Sequence, residues 1–366
     1  MLTRLAGAFC ERGVETVVIS MMDEGVMGPS IRQSGAKLYT LGMSRGIPSI
    51  GSIRKLTCIL KQEKPDLLHT WLYHADLLGL IAGRLARTPH IAWNIRCSNM
   101  DMSDYSLLSR AMVPLLARLS SVPDSVFVNS KKGQALHQQK GYHPRVWTII
   151  PNGFDLAEFQ PLNTSQSNPF ESELGIGPNK KLIGIIGRYD PMKDHATFLN
   201  AASRVVTEQP ESQFILIGNG VDETNFTLRD QIKSLDLEEY VFLLGERRDI
   251  QKLLPHLHLL VSSSAYGEGF PNVIGEAMAC GLPCVSTDTG DAADIIGNTG
   301  LIVPARDAVA LGEAITDMLK KPVGEQKELG RLARLRIEQH FSLPAIVGSY
   351  IEAYQQIFEK GDTQAY

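Results

Sequence analysis

Short apolar runs alternate with stretches of helical period along nearly the whole chain, and the alternation breaks only once. In the first half, strand-like runs fall at 16–21, 37–41, 67–70, 90–96, 125–129 and 146–151, with helical spacing at 53–63, 74–86, 107–119 and 130–140, the last capped by Ser130. Residues 159–179 are polar and proline-flanked and read as a linker. The pattern then restarts. Strands are expected at 181–187, 213–218, 241–245, 257–262, 283–287 and 300–303. Helices are expected at 195–207, 224–235, 250–254, 272–280, 308–320, 324–340 and 343–359. Strands alternating with helices predict parallel, doubly wound α/β sheets. Two such domains, Rossmann-like and facing a cleft, are expected, with ligands at the carboxyl ends of the strands.

With 366 residues, the chain is long enough for two domains at roughly 100–200 residues each. A net charge of −4 gives no reason to expect nucleic acid as a partner. The basic run around Arg331, Arg334 and Arg336 reads as a solvated helix face, with a membrane-surface role as the sharper alternative. The five cysteines are scattered. Cys280 and Cys284 have no second Cys/His pair to close a zinc tetrahedron, so no metal is expected. Without an apolar span or leader, the expected place is the cytoplasm, which leaves peripheral contact with the inner membrane face open.

The chain opens in a helix. Leu2, Leu5, Ala6 and Phe9 have helical spacing, Gly13 ends the turn, and a strand follows. A helix feeding a parallel strand normally crosses over from an earlier strand. Either this domain begins unusually, or its first strand and the loop after it are missing, and the second is the expectation.

Five segments carry candidate chemistry. After the first strand of the second half come Gly187, Arg188 and, five residues on, Lys193; a guanidinium fork and a point charge on one loop suit a diphosphate, although a solvated basic loop has the same composition. Gly218 and Gly220 follow the next strand, as a tight turn or as a close approach to a nucleotide. Gly267 and Gly269 flank Glu268, and Phe270, Pro271 and Asn272 lead into a helix that bears Glu276. Backbone N–H groups at such a helix start suit an anionic or polyhydroxyl ligand, and a carboxylate one turn on suits a vicinal diol. Two acidic residues complementing the helix dipole would leave the glycines unexplained. In the first half, His74 and Arg96 follow strands; His74 is a base, or else a capping or core residue, and Arg96 an anion ligand.

Taken together, Gly187-Arg188 with Lys193, Pro151-Asn152-Gly153 with Asp155, and Glu268-Gly269-Phe270-Pro271-Asn272 with Glu276 resemble glycosyltransferase family 4. Glu-x7-Glu followed by Ala277-Met278-Ala279-Cys280-Gly281-Leu282-Pro283 is specific to that family. The resemblance is strongest over 181–305. It implies a GT-B fold with an acceptor-side domain over 1–160, a linker over 161–179, a donor-binding domain over 180–342, and a helix at 343–366 returning to the first domain. It implies a retaining enzyme that moves a sugar from a UDP- or GDP-sugar, with no bound cofactor, to a polysaccharide or lipid-linked glycan. By position, Arg188 and Lys193 would hold the diphosphate and Glu276 the ribose. Glu268 and the N–H groups of Gly269, Phe270 and Asn272 would hold the sugar. Two departures stand out: the absent first strand with its glycine loop, and Arg96 where many members carry His. The alternatives are a nucleotide-sugar epimerase on the same fold and a truncated, inactive nucleotide-sugar binder.

Overall fold

Side chains at the helix starts do much of the local work. Ser49, Ser130, Asp194, Asn225 and Asp307 each stand just before a helix and accept a backbone N–H from its first turn. The computed structural model describes residues 1–44, 49–96, 107–162 and 167–363. In chain order the elements are α1 (Leu2–Glu11), β1 (Val17–Ser20), α2 (Gly28–Gln33), β2 (Lys37–Thr40), α3 (Ile50–Glu63), β3 (Leu67–His69), α4 (Tyr73–Ala86), β4 (His90–Ile95), α5 (Leu107–Leu119), β5 (Ser125–Val128), α6 (Lys131–Gln139) and β6 (Trp147–Ile149). They continue with α7 (Pro169–Leu174), β7 (Lys181–Ile186), α8 (His195–Glu208), β8 (Ser212–Ile217), α9 (Phe226–Ser234), β9 (Val241–Leu243), α10 (Ile250–Leu253), β10 (Leu259–Ser262), α11 (Asn272–Ala279), β11 (Cys284–Thr287), α12 (Ala292–Ile296), β12 (Leu301–Val303), α13 (Ala308–Lys320), α14 (Val323–His340) and α15 (Leu343–Thr363). Two units result: Met1–Gly153 with Leu343–Tyr366, and Phe154–Ser342.

The second unit is a six-stranded parallel sheet in the order β12-β11-β10-β7-β8-β9. The chain winds outward from β7 on one side and from β10 on the other, so the strand order reverses between these two neighbours. That reversal is where doubly wound sheets open a ligand crevice. Both faces are covered. Leu182, Ile215, Ile217 and Leu260 face one apolar cluster, while Ile183, Ile185, Phe214, Leu216, Leu259 and Val261 face the other. This is the two-residue period of a strand buried on both sides, and each fully buried Ile, Leu or Val contributes about 1.5–3 kcal/mol.

The first unit departs from the single sheet expected of its half. β1 pairs with β2, and β3, β4, β5 and β6 form a separate four-stranded parallel sheet. The place that β7 fills in the second unit has no counterpart among the described residues, so the two ladders are not joined. α15 packs on α1, and Ile346, Val347 and Tyr350 share a buried cluster with Leu5, Phe9, Ala92 and Phe127. Tyr350 stacks on Phe127 with centroids 5.7 Å apart and planes at 6°.

Three helices fall where the sequence reading assigned none, the first being α2. Of the segment expected as a linker, residues 163–166 lie outside the described residues. Beyond them, α7 is capped by Asn168 and buries Phe170, which joins Ile176 in the core of the second unit; one aromatic ring outweighs its polar neighbours. The turn after β11 runs into α12, which buries Ala292, Ile295 and Ile296. Among the described residues no helix is long and apolar enough to cross a membrane.

Candidate active site

The loop from β7 to α8 is held by its own acids. Asp190 accepts the Met192 N–H at 2.9 Å and Nε of Arg188 at 2.9 Å. Burial pushes the Asp190 carboxyl up, but these two contacts prevail and hold it below its ordinary range. Asp194, in the left-handed region at φ 51°, caps α8 through the N–H and hydroxyl of Thr197. His195, first in α8, is buried, and burial, with the charge of Lys193 second, lowers its pKa to about 4.

Across the switch point, the serines after β10 stitch the second loop to the first. Ser263 Oγ donates to the carbonyls of Lys193 at 2.8 Å and Asp194 at 3.1 Å, and the Ala265 N–H donates to Met192 O at 2.8 Å. This register sets Lys193 against Glu268. Lys193 Nζ donates to Glu268 Oε1, which also accepts Ser264 Oγ at 2.8 Å. The two side chains are only 18% and 9% exposed, so the pair is largely withdrawn from water. The Lys193 stem lies on Gly187, where a Cβ would stand 3.2 Å from it.

Three glycines let further loops approach. A Cβ at Gly218 would run into the Gly187 carbonyl. That closeness allows Gly187 N to reach Ile217 O and Tyr189 N to reach Asn219 O, each at 2.8 Å. Gly220 has φ 72° and lies against Tyr189. Gly290, at φ 55°, would put a Cβ 2.6 Å from Gly269 O, the oxygen that accepts the Asp291 N–H at 2.8 Å.

α11 begins at Asn272, with Pro271 at its N-cap and no side-chain cap. Asn272 is exposed, while Phe270 is buried and stacked on Phe154 with centroids 6.1 Å apart. The Phe270 ring is thus core, and its backbone is what borders the helix start. Glu276 is half-buried one turn into α11.

The structure therefore brings Gly187, Lys193, Gly218, Gly220, Glu268 and Gly269 to one edge of the second unit's sheet. Arg188 stands on the same loop, with its side chain 56% exposed and turned to Asp190. His74 and Arg96 belong to the first unit, in the first turn of α4 and just after β4; Cys97, Ser98 and Asn99 lie outside the described residues. Sequence reasoning gave Ser263 and Ser264 no part, although three serines directly after an apolar strand were a signal. Among the described residues no group of His, Cys, Asp or Glu is placed to hold a metal ion. A lysine, glycine-lined backbone and a helix start at one strand edge can take a polyanion.

The sequence and the fold are similar to those of known proteins. Residues 1–158 match the model of Glycosyltransferase Family 4, and residues 180–321 that of Glycosyl transferases group 1. An Escherichia coli UDP-Gal:alpha-D-GlcNAc-diphosphoundecaprenol alpha-1,3-galactosyltransferase is 28% identical over 65% of this chain and 62% of its own length. A Corynebacterium glutamicum GDP-mannose-dependent monoacylated alpha-(1-6)-phosphatidylinositol monomannoside mannosyltransferase is 26% identical over 81% of this chain and 78% of its own. The match spans 62%, 48% and 58% of the length of the first three curated relatives. Among solved structures, Anabaena HepE in complex with UDP and glucose superposes with a TM-score of 0.82 at 22% identity, over 97% of this chain and 95% of that one. The chain belongs to glycosyltransferase family 4 and has the GT-B fold.

Proposed function

We propose that this protein transfers a sugar, with retention of configuration, from a UDP- or GDP-sugar to a polysaccharide or lipid-linked glycan acceptor. The observation that carries the proposal is the Lys193–Glu268 pair, fixed between the β7 and β10 loops at the switch point of the second unit. In this reading, Lys193 and Arg188 bind the donor diphosphate and stabilise the charge that develops as it leaves. A diphosphate arriving at Lys193 frees Glu268 to accept hydroxyls of the sugar. The N–H groups of Gly269, Phe270 and Asn272 face the same sugar, and Glu276 takes the ribose diol. The first unit receives the acceptor, with His74 at its edge. The names of the relatives support the reading: one acts on a diphosphoundecaprenol-linked sugar and another on a phosphatidylinositol mannoside. Such acceptors would draw the enzyme to the cytoplasmic membrane face.

Calorimetric titration with UDP, UDP-galactose and GDP-mannose tests the site. Arg188→Ala and Glu276→Ala should each weaken nucleotide binding by about tenfold or more, one lost charge-assisted contact apiece, with thermal stability kept. Unchanged affinity in both variants sinks the assignment. Anomeric proton couplings of the product report retention. An epimerised nucleotide sugar formed without acceptor would instead favour the epimerase.

A further inference from the structure

Where β4 ends, Arg96 lays its guanidinium over the ring of Trp71, with Cζ 4.8 Å from the centroid. Trp71 is itself stacked on Tyr350 of α15, centroids 6.5 Å apart and planes at 24°. The Tyr350 hydroxyl accepts Arg96 Nη1 at 3.4 Å and Asn94 Nδ2 at 3.3 Å. Nη2 is sealed from solvent and has no acceptor among the described residues. Beside it, His69 engages the Tyr354 hydroxyl through Nδ1 at 2.7 Å. Burial, then the charge of Arg96, brings the His69 pKa down to about 3, so the ring is neutral. No carboxylate pairs with Arg96 among the described residues.

This is an unusual place for a guanidinium. Charges withdrawn from water are ordinarily paired, and a stacked ring compensates only in part. Here the plane of the group is fixed by Trp71 and Tyr350, while its Nη2 donors have no acceptor among the described residues. A preset fork with spare donors is a receptor for a planar or tetrahedral oxyanion. We infer that Arg96 and Trp71 form a binding site for a phosphate or carboxylate group carried by a substrate at the first unit's strand edge. The inference rests on the transferase reading for the word substrate. The anion comes either with the acceptor, as a phosphate, or with the donor, as the carboxylate of a uronic acid.

The site is tested apart from donor binding by titrating the full chain carrying Arg188→Ala and Lys193→Ala with sodium pyrophosphate. One salt-sensitive site is expected. Adding Arg96→Gln should weaken it by about tenfold or more, and Arg96→Lys by less, since charge survives without the fork. A merely structural arginine would lose thermal stability on Arg96→Gln, whereas removing an unpaired buried charge should leave the melting temperature unchanged or raised. Absence of pyrophosphate binding, or binding indifferent to Arg96→Gln, overturns the inference. Two comparisons with the native cations restored assign the source: UDP-glucuronate against UDP-glucose, and glucose 1-phosphate against methyl glucoside. Arg96→Gln should erase the preference for the charged member of one pair; erasing neither overturns the inference. Failure of plain UDP to bind would sink the transferase reading while the pyrophosphate titration still decides Arg96.

Discussion

Glu268 holds a lysine and a serine with one oxygen, in a place nearly closed to water. Glu268→Ala strands Lys193 without its counter-ion and should cost on the order of 3 kcal/mol in urea unfolding. Glu268→Gln keeps an oxygen for Ser264 and should cost less. Equal losses in the two variants would mean that the oxygen kept for Ser264 counts for nothing and that the lost charge pairing accounts for the whole cost. Gly218→Ala should destabilise by about 1–3 kcal/mol and abolish UDP binding, because the new methyl meets a backbone carbonyl and the β7 and β8 loops must part. Leu72, between Trp71 and Tyr73, sits at φ 74° and ψ 156°, a region nearly reserved for glycine, and the residue is 53% exposed. Leu72→Gly should therefore stabilise by about 1 kcal/mol in the same measurement. At this scale the sequence exposed what is chemical and local. Gly187, Lys193, Glu268 and Glu276 stood out by type and spacing. The partners that orient them did not: Asp190 for Arg188 and Ser264 for Glu268 emerge only once the β7 and β10 loops are stitched together.

Among the elements, α11 depends on a contact far away in sequence. A Cβ at Gly275 would enter the ring of Phe154, which is fully buried and stacked on Phe270. Gly275→Ala should cost about 1–3 kcal/mol by overpacking and tilt the helix start that carries Glu276. Denaturant unfolding checks the first effect and nucleotide affinity the second; a neutral variant would show that the ring can yield. The long elements were legible because apolar periodicity is strong over eight or more residues, as in α8, α13 and α14. The short α2, α7 and α12 escaped, since five or six residues hold too little of a helical period to compete with their polar and glycine neighbours. The split between the β1–β2 ladder and the β3–β6 sheet was also out of reach, because strand partnership depends on topology rather than on the composition of any strand.

The molecule as a whole should weaken in mild acid. His69 in the first unit and His195 in the second have folded-state pKa values brought down to about 3 and about 4, from 6.5 when unfolded. Their neutral forms stabilise fully above pH 6.5, and that contribution is lost as the pH falls through 6.5 toward those values, at up to about 1.4 kcal/mol per pH unit for each group. Unfolding midpoints should thus be lower at pH 5 than at pH 7.5, and His69→Asn should flatten the first unit's share; a flat profile would contradict this. Asp76 has the opposite sign. Burial raises its carboxyl well above the usual range, so it favours folding at low pH and loses that favour as the pH rises. Asp76→Asn, which keeps an oxygen for the Thr70 hydroxyl at Oδ1, should be neutral or stabilising at pH 7.5. The composition of the first unit has a consequence for synthesis. Its cluster around Phe9 and Phe127 is closed by residues of α15, which follow the entire second unit in the chain. On the ribosome, the second unit is available as an unbroken stretch while the first still shows bare aromatic faces. The part translated first is the part finished last, and in that interval the nascent chain offers its sticky side to chaperones.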